Sequence, residues 1–307
     1  MRALVTGGCG FIGGHLVDEL RKRGDEVAVI DDLSSGTLAN IPGGVELYER
    51  DLKGMDNAID SVDIVYHLAA SSDVRAGLEN RWGQMRENLL TTYDLLEWMA
   101  QGGARDLVFT STSAVYGEAS LEVGEGHPTR PISIYGSSKL ACEGLISAYA
   151  HLFDLRVLEF RLANIVGPRA KKGVVPELVA KVVRAKAEGR NDLEILGDGT
   201  QRKSYLYVDD CVGGMLSQRP GPDLEIYNLG SGDSLTVNQL ANAITDELGV
   251  KMRYRYKPMK GGRGWLGDAK EIELATDKLR SMGWEPTHDS EGAVRKTVRE
   301  ITISRNI

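Results

Sequence analysis

The sequence predicts an open α/β fold, a doubly wound parallel sheet with a smaller C-terminal lobe. Three observations carry that expectation. A short apolar run at the N-terminus passes through a glycine-rich turn into an amphipathic helix. Apolar strand-like runs then alternate with helical patterns about six times through residue 165, with short connections. From about residue 166 the character changes, starting with a basic cluster, and 307 residues leave room for a second lobe. The expected division assigns 1–167 to the first domain, with 204–230 returning to it, and 168–203 and 231–307 mainly to the lobe.

Bulk composition narrows the function classes. The apolar set makes up 42% and charged residues 26%, an ordinary globular balance. A net charge of −7 speaks against a nucleic-acid or anionic-membrane surface, so an anionic ligand would need locally clustered Arg and Lys. Cys9, Cys142 and Cys211 offer neither a disulfide framework nor metal-ligand spacing, so no metal is expected. Cys9, inside the glycine turn, is the one expected near a ligand. No apolar stretch approaches the ~20 residues of a membrane span, and the N-terminus enters a strand directly, so a cytoplasmic location is expected.

The first unit reads as strand, turn and helix. Arg2 to Thr6 is the apolar run, Leu16, Val17 and Leu20 recur at helical spacing, and Gly24 stops the helix. Between them Gly7, Gly10 and Gly13 stand in a G-x-x-G-x-x-G spacing. Glycines there permit a tight turn, close approach of backbone to a diphosphate and close helix-on-strand packing. The helix N-terminus adds free N–H groups and a positive dipole end. In this setting the pattern reads as a Rossmann-type dinucleotide site. The next strand, EVAVIDD, ends at Asp31 near the offset expected of the acid that holds the adenosine ribose. A carboxylate accepts from a 2′-hydroxyl and repels a 2′-phosphate, so the cofactor reads as NAD, and Asp32 strengthens that preference.

VELYERDL gives a further strand ending at Asp51 and Leu52, candidates for the adenine edge. DIVYHLAA is a near-continuous apolar run of the kind central parallel strands show, with His67 expected as a satisfied core histidine. The strand DLVFTST ends in the hydroxyl cluster Thr110 to Ser113, at the strand end where open α/β sheets bind ligands. A hydroxyl there could donate to a substrate oxygen and relay its proton. YGSSK follows, opening a helix expected over 136–152, and puts Tyr135 and Lys139 on one face at i and i+4. A neighbouring ammonium favours the phenolate, a way to take a proton from an alcohol whose carbon loses hydride. LRVLEFRLANIVGP is then a strand whose end bears Asn164.

In the second half, Arg169, Lys171 and Lys172 form a basic run straight after that strand, placed for a phosphate-facing role. A helix is expected to begin near Asp209, and Thr236 is a candidate N-cap of another. MRYRYKP alternates like an edge strand, and Trp265 and Trp284 read as core or lobe-closing aromatics.

TGGCGFIG, Asp31, Asp51-Leu52, HLAA, STSAVYG, YGSSK and RLANIVGPR, in that order, resemble the extended short-chain dehydrogenase/reductase family, and within it the nucleotide-sugar epimerases. The resemblance runs nearly end to end. It implies that Tyr135 is the base, that Lys139 holds the nicotinamide ribose and tunes Tyr135, and that Thr112, four residues before Tyr116, fills the Ser/Thr role. For NAD it implies contacts from Gly7, Gly10, Phe11, Ile12 and Gly13, and from Asp31, Asp32, Leu33, Ser34, Ser35 and Gly36. Asp51, Leu52, Leu68, Ala69, Ala70, Asn88, Thr110, Tyr135 and Lys139 complete that set. For a UDP-sugar substrate it implies Thr112, Tyr135, Asn164, Val174, Arg202, Lys203, Arg263 and Asp268. Lys203 stands where the family usually has Arg, and Ser204 where it usually has Asp, so Arg202 is the alternative diphosphate ligand.

The family's dehydratases and decarboxylases tend to carry carboxylates just after the Ser/Thr. Here those positions are Ser113 and Ala114, which favours inversion at C4 of a UDP-hexose, glucose to galactose and back, through a transient 4-keto sugar. Epimerases of UDP-N-acetylhexosamine or UDP-glucuronate, a dehydratase, and a non-catalytic NAD-sensing protein are the alternatives. The resemblance also implies a homodimer through the 88–100 and 136–150 stretches.

Overall fold

The computed structural model describes residues 1–55, 59–119 and 122–305. Seven strands form the main sheet, in the spatial order Glu225–Leu229, Arg156–Leu162, Asp106–Thr112, Ile64–His67, Arg2–Thr6, Glu26–Asp31, Glu46–Glu49. The four pairings from Asp106–Thr112 across to Glu46–Glu49 are parallel. Arg2–Thr6 lies between the strand that follows it in sequence and Ile64–His67. The strand order therefore reverses beside it, and at such a switch point an open α/β sheet leaves a crevice for ligands. The expected doubly wound sheet is present.

The central strands are apolar on both faces because both are covered, and Ala3, Leu4, Val5, Val65, Leu107 and Val108 are all buried. The third strand is shorter than expected. It ends at Glu49, leaving Asp51 exposed in a turn that accepts from the Lys53 amide, while Leu52 joins the core cluster with Ile30, Val65 and Phe109.

The chain divides into two compact units, 1–115, 133–161 and 212–227 in one, 116–132, 162–211 and 228–307 in the other. The second unit has a four-stranded sheet ordered Leu235–Thr236, Arg202–Lys203, Glu271–Leu274, Glu122–Val123. It also holds two parallel strand pairs, Asn164–Val166 with Tyr205–Tyr207 and Asp192–Leu196 with Arg253–Lys257. The helix at 237–247 starts as expected at Thr236, whose hydroxyl accepts from Gln239 N while Gln239 returns a bond to the Thr236 amide, a reciprocal cap. No helix among the described residues is long and apolar enough to cross a membrane.

Candidate active site

The glycine turn is built for close approach. Gly7 takes φ +70°, and a Cβ on it would lie 2.7 Å from the Ala69 amide nitrogen. A Cβ on Gly13 would lie 2.2 Å from the Gly7 carbonyl oxygen. Thr6 ties this turn to the switch point, its hydroxyl accepting from the Leu68 and Ala69 amides at 3.2 and 3.1 Å. The helix Phe11–Lys22 then begins at Gly10 with no side-chain cap and no acid in its first turn. Its leading N–H groups are open to an anion, so these residues fit the diphosphate of a dinucleotide. Gly13→Ala is expected to cost about 1–3 kcal/mol of stability by overpacking. The same change should weaken NAD binding at least about tenfold, which fluorescence titration with NAD reads directly.

Asp31 sits at the end of its strand, 9% exposed, and accepts from Cys9 N and Leu33 N, both at 2.9 Å. Burial raises its pKa, and the two backbone N–H groups oppose that rise. A carboxylate has about four acceptor sites, so two remain for ribose hydroxyls. Leu33 is held at φ 57°, the left-handed region, and this turns its amide back onto Asp31. Asp32 is exposed and spends Oδ1 on the amide and hydroxyl of Ser34, at 2.9 and 2.6 Å. It shapes the turn that carries Ser34, Ser35 and Gly36. Sequence reading missed Asn40, a buried residue whose Nδ2 donates to the carbonyls of Cys9 and Gly10 at 2.9 and 3.2 Å. Cys9 lies in the loop as expected, fully buried, and burial pushes its thiol up to about 11.

The catalytic candidates meet around one helix, Ile134–Phe153, which starts two residues earlier than expected. Ser133 caps it, its Oγ accepting from Gly136 N at 3.0 Å. Tyr135 therefore lies in the first turn, half-buried, and the Thr112 hydroxyl at the end of the neighbouring strand favours its phenolate. Burial pushes the phenol up to about 12, and the Thr112 bond opposes that. Lys139 is 2% exposed, and its Nζ lies 4.1 Å from the centroid of the Phe109 ring. Burial pulls its pKa down to about 8, against the upward pull of Cys142, Glu143 and Glu159.

Around this pair the hydroxyls and amides are organised by the protein itself. Asn88, 1% exposed, accepts from Ser71 N at 2.7 Å and donates to Ser138 Oγ at 2.8 Å, between Tyr135 and Lys139 in sequence. Thr110 donates to the His67 carbonyl at 3.1 Å. His67 is the satisfied core histidine expected, its ring nitrogens bonded to Thr6 and Thr92 at 2.7 and 2.9 Å. Burial, helped by the Lys139 charge, pulls it down to about 3 and keeps it neutral. Ser113 and Ala114 follow Thr112 in a 3-10 turn and bring no carboxylate.

The second unit gathers most of the charged candidates into one group. Lys203 Nζ lies 3.0 Å from Asp268 Oδ1, and Arg263 Nη1 donates to the Asp268 carbonyl at 2.6 Å. Adjacent strand residues point to opposite faces, so Arg202 is turned away from Lys203. Arg202 donates to the carbonyl and hydroxyl of Ser234, at 3.1 and 3.2 Å. Lys203, where Arg was expected, is thus the residue set beside Arg263 and Asp268. Asn164 is exposed at a strand end and bonds the Ser204 carbonyl at 3.1 Å, while Val174 opens the helix Val174–Ala187. Arg169, Lys171 and Lys172 are exposed. Glu118, overlooked in the sequence, pairs with Arg263.

Residues 3–230 match the family model for the NAD dependent epimerase/dehydratase family. A crystal structure of a UDP-galactose 4-epimerase is 39% identical, with a TM-score of 0.88 and 99% of each chain covered. A UDP-glucose 4-epimerase from Thermotoga maritima, solved with UDP-glucose, is 30% identical with a TM-score of 0.89, covering 99% of this chain and 100% of that one. A UDP-N-acetyl-alpha-D-glucosaminuronate decarboxylase from Bacillus cytotoxicus is 33% identical over 79% of each chain. With the family model spanning most of the sequence and a solved relative 39% identical over 99% of the chain, the chain belongs to the NAD-dependent epimerase/dehydratase family.

Proposed function

We propose that the chain is an NAD-dependent UDP-hexose 4-epimerase interconverting UDP-glucose and UDP-galactose through a transient 4-keto sugar. The observation that carries this reading is Thr112, whose hydroxyl favours the Tyr135 phenolate, followed in sequence by the uncharged Ser113 and Ala114. One phenol and one hydroxyl suffice to take a single proton out and return it. Elimination or decarboxylation would call for further acid–base groups, which those two positions cannot supply.

In this reading Gly7, Gly10, Phe11, Ile12 and Gly13 receive the cofactor diphosphate, and Asp31 accepts from the adenosine ribose. NAD, when bound, supplies a hydride acceptor for C4, a hydride donor for the return, and a cationic ring that favours the phenolate. Tyr135 Oη accepts the C4 hydroxyl proton as C4 is oxidised, with Thr112 bridging, and gives it back as C4 is reduced on the opposite face. Lys139 binds the nicotinamide ribose, and its ammonium favours the phenolate form of Tyr135. Arg263 and Lys203 hold the substrate diphosphate, Asp268 its ribose, and Asn164 adds a neutral donor. The working molecule is a homodimer through the 88–100 and 136–150 helical stretches, where Leu90 and Tyr93 are exposed.

The test is turnover across UDP-hexoses, UDP-N-acetylhexosamines and UDP-hexuronates, followed by proton NMR with the bound cofactor identified. UDP-galactose should yield UDP-glucose as the fastest conversion. A 4-keto-6-deoxy product, loss of carbon dioxide from a hexuronate, or faster turnover of another class would sink the reading.

A further inference from the structure

Arg263 is not idle in this structure. Its Nη1 donates to Glu118 as well as to the Asp268 carbonyl. The Glu118 carboxylate oxygens also face the Lys270 backbone N–H, at 3.3 and 3.4 Å. A guanidinium and a backbone N–H thus make an anion site, and the chain's own carboxylate sits in it. Carboxylate and phosphate ask the same planar, charge-assisted donors of an arginine, so the two compete for it.

Two neighbouring cations are neutralised too, Lys203 by Asp268 at 3.0 Å and Lys270 by Asp198 at 3.5 Å. Glu118 is the most exposed of the three carboxylates, at 41% against 16% for Asp268 and 34% for Asp198. Its own charge is thus the one most open to water, and solvent screening on that side weakens its hold on Arg263.

We propose that Glu118 is an affinity-determining residue of the diphosphate site, an internal anion that holds Arg263 until the substrate diphosphate displaces it. The proposal rests on the reading of Arg263 as a diphosphate ligand. It means that affinity for a uridine diphosphate is the difference between two pairings of Arg263, one with phosphate and one with Glu118. Removing the Glu118 charge removes the competitor and leaves the donors in place.

The experiment is calorimetric titration of the NAD-loaded protein with UDP and with uridine, at low ionic strength, for wild type, Glu118→Gln, Arg263→Met and the double variant. Glu118→Gln should tighten UDP about two- to fivefold, the range an exposed ion pair allows, and leave uridine unchanged. Arg263→Met should weaken UDP at least about tenfold, as loss of a charge-assisted bond does. In the Arg263→Met background the Glu118→Gln gain should vanish. UDP affinity unchanged or weakened in Glu118→Gln overturns the proposal, as does a gain that persists without Arg263. If Arg263→Met binds UDP as wild type does, the assignment of Arg263 itself fails, and that failure is visible separately from the first.

Discussion

Tyr135→Phe is expected to lower kcat by about 10²–10⁴, the range positioned proton transfer contributes, with little change in KM. The substitution removes one oxygen from a first-turn helix position and leaves the ring, so folding and UDP binding should hold. On the proposed mechanism, what is lost is the group that takes the C4 hydroxyl proton. Thr112 cannot replace it, because a free alcohol is a far weaker acid–base group at neutral pH than a tuned phenol. Single-turnover rates of C4 oxidation should fall by the same factor as kcat. An unchanged rate would remove Tyr135 from the mechanism. The pH profile gives an independent sign. Burial pulls Lys139 down to about 8, so its ammonium is present below that pH and lost above it. kcat/KM should therefore decline as the pH rises through about 8, whereas a rise across that interval would contradict a role for the charged lysine.

The parts legible in the sequence are those whose partners are close along the chain. The strand, glycine turn and helix occupy one short segment, and Tyr135 and Lys139 are one helical turn apart, so periodicity alone sets them on a common face. Asp31 could be read because a fixed βα unit separates it from Gly7. Thr112 needed the family resemblance, since nothing local says which of four hydroxyls reaches the phenol. Asn40 was invisible, because it clamps carbonyls about thirty residues upstream and only the tertiary path brings it there. Glu118 and Arg263 are 145 residues apart. The alternation of Arg202 and Lys203 was legible in principle, since a strand sends neighbours to opposite faces, but choosing between them required knowing which face holds Asp268. Asp32 has a local task that pairing it with Asp31 did not bring out, since an aspartate readily bonds the backbone two residues on.

Arg161→Met is expected to cost about 3–5 kcal/mol of stability, because it strands a buried carboxylate. Arg161 Nε and Nη2 fork onto Glu143 at 3.0 and 2.7 Å, and each side chain is only 6% exposed. Ser111 donates to the same carboxylate, so two strands are joined here to the helix that carries Tyr135 and Lys139. Glu159 lies on the Arg161 strand, fully buried, its two carboxylate oxygens without a hydrogen-bond partner among the described residues. Burial first, and then the Glu143 charge, push its pKa well up, so Glu159 favours its neutral form. Without Arg161 the Glu143 carboxylate loses the two charge-assisted donors that satisfy it inside the fold. The deficit should appear in urea melts as a lower midpoint. Adding Glu143→Leu should return part of the loss, since an apolar pair of similar volume leaves no stranded charge. A double variant as unstable as the sum of the two single ones would mean that the fork contributes only packing. In that case the buried charge is not what fixes the catalytic helix to the sheet.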